Sequence, residues 1–400
     1  MTQPSIKTPE IPGAGPAKIT ELESLRGLAA LLIVFTHVPL WNPAFNFTIA
    51  RNGYLMVELF FVLSGFVIFN AYSTKINTKT DLLRFQFLRL ARLYPVHFLF
   101  FIVFVAIELM KYVAQSKLGI SSPNSQPFVE NNLTALLQQV FLLQAIGPTG
   151  NAATFNGPAW SISVEFYTYL LFGLVVLFCG RFKHYIFAAL FLTTLLLKLN
   201  QTTFGFYDLL DCFTGFFLGC MVADAKDKLN LRLPSYVSML AFGALVLVLM
   251  LKVPDTNDYL IFPLAAALIF TVASSETGPL KKFLQLKVLT WLGTISYSMY
   301  MCHITVTWVV NQIFRVYLKR PQVMVDGRNT PSLSIVETVL GYILLIGTVL
   351  VLSHLVYKFV EKPLRERSRK VRFGRLGATT AIEPVSPMSA QGRVGASKSG

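Results

Sequence analysis

The sequence predicts an all-α fold, a polytopic membrane helix bundle of about ten transmembrane helices with both termini cytoplasmic. Three observations predict it. The chain of 400 residues is 54% apolar and only 14% charged, with a mean hydropathy of +0.57, whereas about a quarter of a soluble domain is charged. Apolar segments of roughly bilayer-spanning length recur along most of it. Its Lys and Arg residues, which give a net charge of +15, gather in alternate connections between those segments. The same charge would suit nucleic acid, but no soluble basic domain is visible to hold one.

Taken in order, residues 1–18 are rich in Pro and Gly without periodicity and read as a flexible leader. The first apolar run leads into "PLWNPAFNF" with no convincing cleavage site, so it reads as a retained span and not a signal peptide. Spans are predicted at 22–40, 54–72, 91–110, 161–179, 184–200, 207–223, 236–252, 259–275, 290–312 and 334–358. The segment 133–146, "LTALLQQVFLLQAI", is short and interrupted by Gln138 and Gln139. It reads as an interfacial helix in a long loop. Residues 19–365 form the membrane domain, and 366–400 are basic and then disordered. Cys179, Cys212, Cys220 and Cys302 fall in apolar segments without metal-ligand spacing, and no metal site is expected.

Orientation follows from the basic residues. With the N-terminus inside, 26 of the 35 Lys and Arg lie in inside regions. The other nine include a local cluster that opposes the rule, Arg315, Lys319, Arg320 and Arg328.

Ionisable groups inside spans are costly and usually face a cavity or a partner. In "LESLRGLAALLIVFTHVPLW", Arg26 and His37 are separated by about three helical turns, or about 16 Å, and share one face. Glu58, Glu165 and His303 reach depths similar to that of His37 on three other spans. Each alone reads as well as an interhelical hydrogen bond; four together point to a site. At the inner side, "RFQFLRLARLYPVHF" sets Arg89 and Arg92 three residues apart, on one helix face, with Pro95 expected to bend or begin the span. Guanidinium forks suit phosphate oxygens, although positive-inside anchoring explains basic residues here equally well. An inner phosphate site and an outer base, joined by a path through the bundle, fit acyl-CoA, which has an anionic head and a long arm ending in a thioester. The base would activate a hydroxyl acceptor.

These motifs, "ELESLRGLAALLIVFTHV", "VELFFVLSGFVIF", "RLARLYP", "PAWSISVEFY", "ISYSMYMCH" and "EKPLR", stand in order over about residues 20–365. Together they resemble the acyltransferase family 3 membrane proteins, which include O-acetyltransferases of bacterial polysaccharides and nodulation factors. The resemblance implies a ten-helix bundle in the bacterial cytoplasmic (inner) membrane that uses cytoplasmic acyl-CoA, with acetyl-CoA the leading donor. It implies that Arg26 and His37 are essential and that Arg89 and Arg92 help hold the donor. The chain departs from the family pattern at Glu58, where Asp is usual, and in lacking a second acidic residue after Glu165. With no long segment after Glu361, a stand-alone transferase is expected, any partner protein in polysaccharide assembly coming from another chain.

His37 is thus expected to act as general base on a glycan hydroxyl, with Glu165 or Glu58 orienting it. Trp160, Ser161, Tyr300 and His303 are expected to support the site or bind the acceptor. Direct transfer is favoured, with an acyl-histidine intermediate left open. A transporter with an intramembrane proton path and a non-catalytic assembly subunit are the alternative classes.

Overall fold

The computed structural model describes residues 19–120, 122, 124–147, 152–252, 258–371 and 373. The predicted leader at 1–18 and most of the predicted tail lie outside the described residues.

The helices are α1 (Thr20–Thr36), α2 (Thr48–Arg51), α3 (Met56–Tyr72), α4 (Lys79–Leu118), α5 (Leu133–Phe141), α6 (Trp160–Cys179) and α7 (Lys183–Leu199). They continue with α8 (Tyr207–Leu229), α9 (Ser235–Leu251), α10 (Ile261–Ser274), α11 (Pro279–Leu284), α12 (Lys287–Gln312), α13 (Ile335–Val356) and α14 (Lys362–Arg369). Each of the ten predicted segments coincides with one of these helices. Among the described residues, four stretches are long and apolar enough to cross a membrane by length and composition: Thr48–Tyr72, Lys79–Leu118, Gly157–Leu199 and Ile335–Arg369. Ser235–Leu251 and Asp258–Ser274 are apolar but shorter. The chain is therefore a helical membrane protein.

Local chemistry sets several boundaries. Glu21 and Glu23 stand in the first turn of α1, where the helix dipole favours negative charge. Pro39 disfavours helical backbone at Val38, and α1 ends at Thr36. A reciprocal capping box between Thr78 and Asp81 starts α4, and Gly119 ends it in the left-handed region at φ 63°. Pro95 lies inside α4 without ending it. The helix has 40 residues, about 60 Å of rise, so it is twice as long as a bilayer core requires. The predicted 91–110 span is only its middle, and Arg84 and Arg89 stand on its N-terminal part. The interfacial segment is helical as α5 but ends at Phe141, and its Gln139 is fully buried, donating to the Thr154 carbonyl at 2.8 Å.

One two-stranded antiparallel hairpin interrupts the helical architecture: β1 (Gln322–Val325) pairs with β2 (Arg328–Pro331), with Val325 opposite Arg328. The turn residues Asp326 and Gly327 both have positive φ, as a tight hairpin requires. The sequence reading had no strand here.

Two close helix crossings organise the bundle. A Cβ added to Gly65 of α3 would overlap the Phe216 carbonyl of α8, and one on Gly219 would overlap the Val62 carbonyl. Where α1 crosses α12, a Cβ on Gly27 would overlap the Gly293 backbone, and one on Gly293 the Glu23 carbonyl. Small residues let helix backbones approach this closely, which is how helices associate where lipid supplies no hydrophobic drive. Beyond the second crossing the Trp41 indole donates to Asn311 Oδ1 at 2.8 Å, and Asn42 donates to the Leu333 carbonyl at 2.9 Å. The end of α12 and the segment after the hairpin are thereby tied to the loop that follows α1.

Candidate functional site

The α1–α12 crossing runs with the two helices parallel, from Gly27 against Gly293 at one end to His37 against His303 at the other. His37 is the residue capping the C-terminus of α1. Its Nδ1 lies 2.9 Å from the Ile33 carbonyl and 3.3 Å from Nε2 of His303. The His303 Nδ1 in turn lies 2.7 Å from the Tyr300 carbonyl. His37 is exposed, whereas His303 is fully buried.

Two cavities lie on the Arg26 side of this pair, and the nearer reaches Tyr300, one turn before His303. The first is lined by Arg26, Ser64, Arg92, Ser161, Glu165 and Tyr300, among others. The second, of about 700 Å³, is lined by Glu23, Arg26, Val67, Asn70, Lys226 and Asp227, among others. That volume lies in the range of small-molecule and cofactor sites. Arg26 and Val67 line both. The second cavity gathers the start of α1 with the C-terminal ends of α3, α8 and α10, so one end of the bundle opens toward Arg26.

The polar groups of the first cavity hold one another. Glu165 accepts from Ser64 Oγ at 2.6 Å and from the Tyr169 hydroxyl. Arg92 lies in electrostatic reach of Glu165, Glu23 and Glu361. The Tyr300 hydroxyl donates to the Pro158 carbonyl at 2.9 Å and lies 2.9 Å from Ser161 Oγ. Arg26 pairs with Glu23 at 3.4 Å. The closed end therefore presents two hydroxyls beneath His303, and the open end presents guanidinium groups.

Of the predicted residues, the structure gathers Arg26, Arg92, Ser161, Glu165 and Tyr300 on one cavity wall. Arg89 lines neither cavity. Its guanidinium is held among the rings of Tyr72, Phe85 and Tyr169, with centroids at 5.2, 5.7 and 5.9 Å, and bonds the Tyr72 hydroxyl at 3.1 Å. Trp160 packs edge-on against Phe61 and leaves the cavity to its neighbour Ser161. His37 also lies outside both linings, beyond Tyr300 and His303, so neither cavity reaches its imidazole as the expected passage would require.

Two expectations need correction. Neither Glu165 nor Glu58 orients the imidazole of His37; the side chain bonded to it is His303, because the α1–α12 crossing puts α12 and not α3 or α6 against the end of α1. Glu58 instead lies in reach of Lys198, Asp208 and Asp258, where Lys198 pairs with Asp211, and in reach of Tyr300 on its other side.

The sequence reading missed Ser64 and Tyr169 around Glu165, and Lys226 in the larger cavity. Tyr169 stands four residues after Glu165, on the same helical face, which is a readable signal. Ser64 and Lys226 carry none, since their neighbours come from distant segments.

Comparison with known proteins adds the following. A family model described as an acyltransferase domain matches residues 19–358. The chain is similar to the O-acetyltransferase OatA of Staphylococcus aureus, 26% identical over 395 residues, covering 89% of this chain and 58% of that protein. It is similar to the peptidoglycan O-acetyltransferase OatA of Listeria monocytogenes, 21% identical over 384 residues, covering 87% of this chain and 56% of that protein. Protein 2 in picA locus of Rhizobium radiobacter is 35% identical over 161 residues, covering 38% of this chain and 78% of that protein. The chain thus spans little more than half the length of the two OatA proteins. No solved structure matches.

Proposed function

This chain belongs to the acyltransferase 3 family, and we propose that it is a membrane O-acyltransferase moving an acyl group, acetyl first among candidates, from cytoplasmic acyl-CoA to a hydroxyl of a cell-envelope or secreted glycan. One observation supports this reading: a large vestibule and an inner cavity share Arg26 in their linings, and the inner one reaches Tyr300, one turn before His303 of the His303–His37 pair. A donor with an anionic nucleotide head and a slender arm matches that shape.

In this account the ten helices span the bacterial cytoplasmic membrane with both termini inside, as the distribution of Lys and Arg favours. The head of acyl-CoA rests in the vestibule near Lys226 and Arg26, whose charges suit phosphate. Arg92 steadies the arm, and the thioester stops near Ser161 and Tyr300. The acceptor approaches from the exposed side of His37. The imidazole takes the hydroxyl proton as the oxygen attacks the thioester carbonyl, and the CoA thiolate leaves and receives that proton from the imidazolium. General-base help of this kind contributes about 10²–10⁴-fold. Glu165 is fixed by Ser64 and Tyr169 within electrostatic reach of Arg92.

The test is mass spectrometry of envelope and secreted glycans from cells with and without this gene. The expected result is an alkali-labile ester mass, 42 Da for acetyl by ordinary chemistry (about one acetyl replacing one hydrogen), lost with the gene and restored by the wild-type chain. Identical ester content in both would overturn the proposal.

A further inference from the structure

The two histidines carry an assignment that the general-base reading leaves unspecified. A carbonyl oxygen can only accept a hydrogen bond. His303 Nδ1 lies 2.7 Å from the Tyr300 carbonyl, so that nitrogen bears the proton. A neutral imidazole then has a lone pair on Nε2. This lone pair faces His37 Nδ1 at 3.3 Å. His37 Nδ1 lies 2.9 Å from the Ile33 carbonyl, so it too bears a proton, shared between that carbonyl and His303 Nε2. Two backbone carbonyls thereby dictate one pattern for the pair, and the unprotonated nitrogen of His37 is its Nε2.

We propose that His303 is a positioning residue for His37, holding it in the Nδ1–H tautomer and accepting from its Nδ1–H when the ring becomes an imidazolium. This rests on the reading of His37 as general base. In that step the acceptor hydroxyl proton goes to His37 Nε2, the acceptor oxygen bonds the acyl carbon, and the carbon–sulfur bond breaks. The departing thiolate then takes that proton from Nε2 and becomes the CoA thiol, so the pair ends as it began. His303 occupies the place that a carboxylate holds in a catalytic triad. A neutral acceptor there supports the cation without burying a second formal charge in the bundle. Complete burial of His303, with its other nitrogen tied to its own helix, keeps its lone pair fixed in direction. Partners of this kind orient catalytic groups, and their loss costs about 10–100-fold.

Asparagine and glutamine separate the two bonds. The amide of His303→Asn overlays the Nδ1 position, so it keeps the bond to the Tyr300 carbonyl and falls short of His37. The amide of His303→Gln reaches the Nε2 position and can accept from His37. Membranes carrying the full chain are supplied with radiolabelled acetyl-CoA, and alkali-labile label in the glycan fraction is measured against donor concentration. The expected result for His303→Asn is a fall of about 10–100-fold in the maximal rate, with the half-saturating acetyl-CoA concentration unchanged. His303→Gln is expected to recover most of that loss. Equal loss in both variants, or an unaffected His303→Asn, would overturn the assignment, and so would a change confined to half-saturation. A His37→Ala variant run in parallel isolates the underlying reading: if it transfers label normally, the base assignment itself fails, whatever His303 does.

Discussion

At the scale of single residues, the site separates side chains that look alike in the sequence. Arg89 and Arg92 are three residues apart, yet Arg92 lines the inner cavity while Arg89 is clasped by three aromatic rings. Arg92→Ala is therefore expected to raise the half-saturating acetyl-CoA concentration about 10-fold or more, the loss of a charge-assisted bond being worth about 1.5–3 kcal/mol. Arg89→Ala is expected to act first on stability, lowering the melting temperature of the detergent-solubilised protein with a smaller effect on donor concentration. The reverse pattern would assign donor binding to Arg89. The sequence placed Arg26 on the first helix, His37 at its end and His303 on a distant helix, as in the structure. It could not say which groups touch, because partners such as His37 and His303 are 266 residues apart and depend on how α1 crosses α12. The choice of a carboxylate as partner for His37 failed for that reason.

Among the elements, hydropathy located the helices well because each apolar run is bounded by turn residues or charges. It underestimated α4, whose first dozen residues are too polar to read as a span and are helical through the Thr78–Asp81 box and packing. Hydrogen bonds from Thr78 and the nearby backbone hold the Asp81 carboxyl below the usual range. A depressed carboxyl stabilises the folded form above its unfolded pKa and loses that contribution as pH falls through the folded value. The start of α4 is thus expected to fray in acid, and Thr78→Ala should bring faster amide exchange there already at neutral pH; unchanged protection would refute the cap. The hairpin had a readable Asp-Gly turn but short exposed strands, so it made no periodic signal. The glycine crossings offer a sharper test. Gly219→Ala places a methyl against the backbone of α3, and overpacking of this kind costs about 1–3 kcal/mol. Gly243→Ala in α9 meets open space. The first is expected to lower the melting temperature and the second to leave it unchanged, and equal effects would contradict the crossing.

For the whole molecule, the organisation is a bundle whose two ends differ in chemistry. One end opens a vestibule to Arg26 and Lys226, and the other carries His37 in electrostatic reach of Arg328 of the hairpin. Under the proposed topology, Lys370→Cys and Asp326→Cys should react with an impermeant maleimide from opposite faces of sealed vesicles. Reaction from one face would remove the two-sided transfer. The class and the family were legible because composition and ordered motifs extend over most of the chain. The meeting of two cavities at Arg26 was not, since it depends on helix ends far apart in the sequence. The central claim is a transfer that begins at that vestibule and needs the imidazole of the first helix. It is measured most directly in inside-out membrane vesicles given radiolabelled acetyl-CoA on the exposed cytoplasmic face, comparing the wild-type chain with His37→Ala at equal folded amounts. The account predicts alkali-labile label in the glycan with the wild type and at least about a 100-fold loss in the variant, with acetyl-CoA still bound. Equal labelling by both, or labelling by neither while the cells' glycans keep a gene-dependent ester, would contradict it.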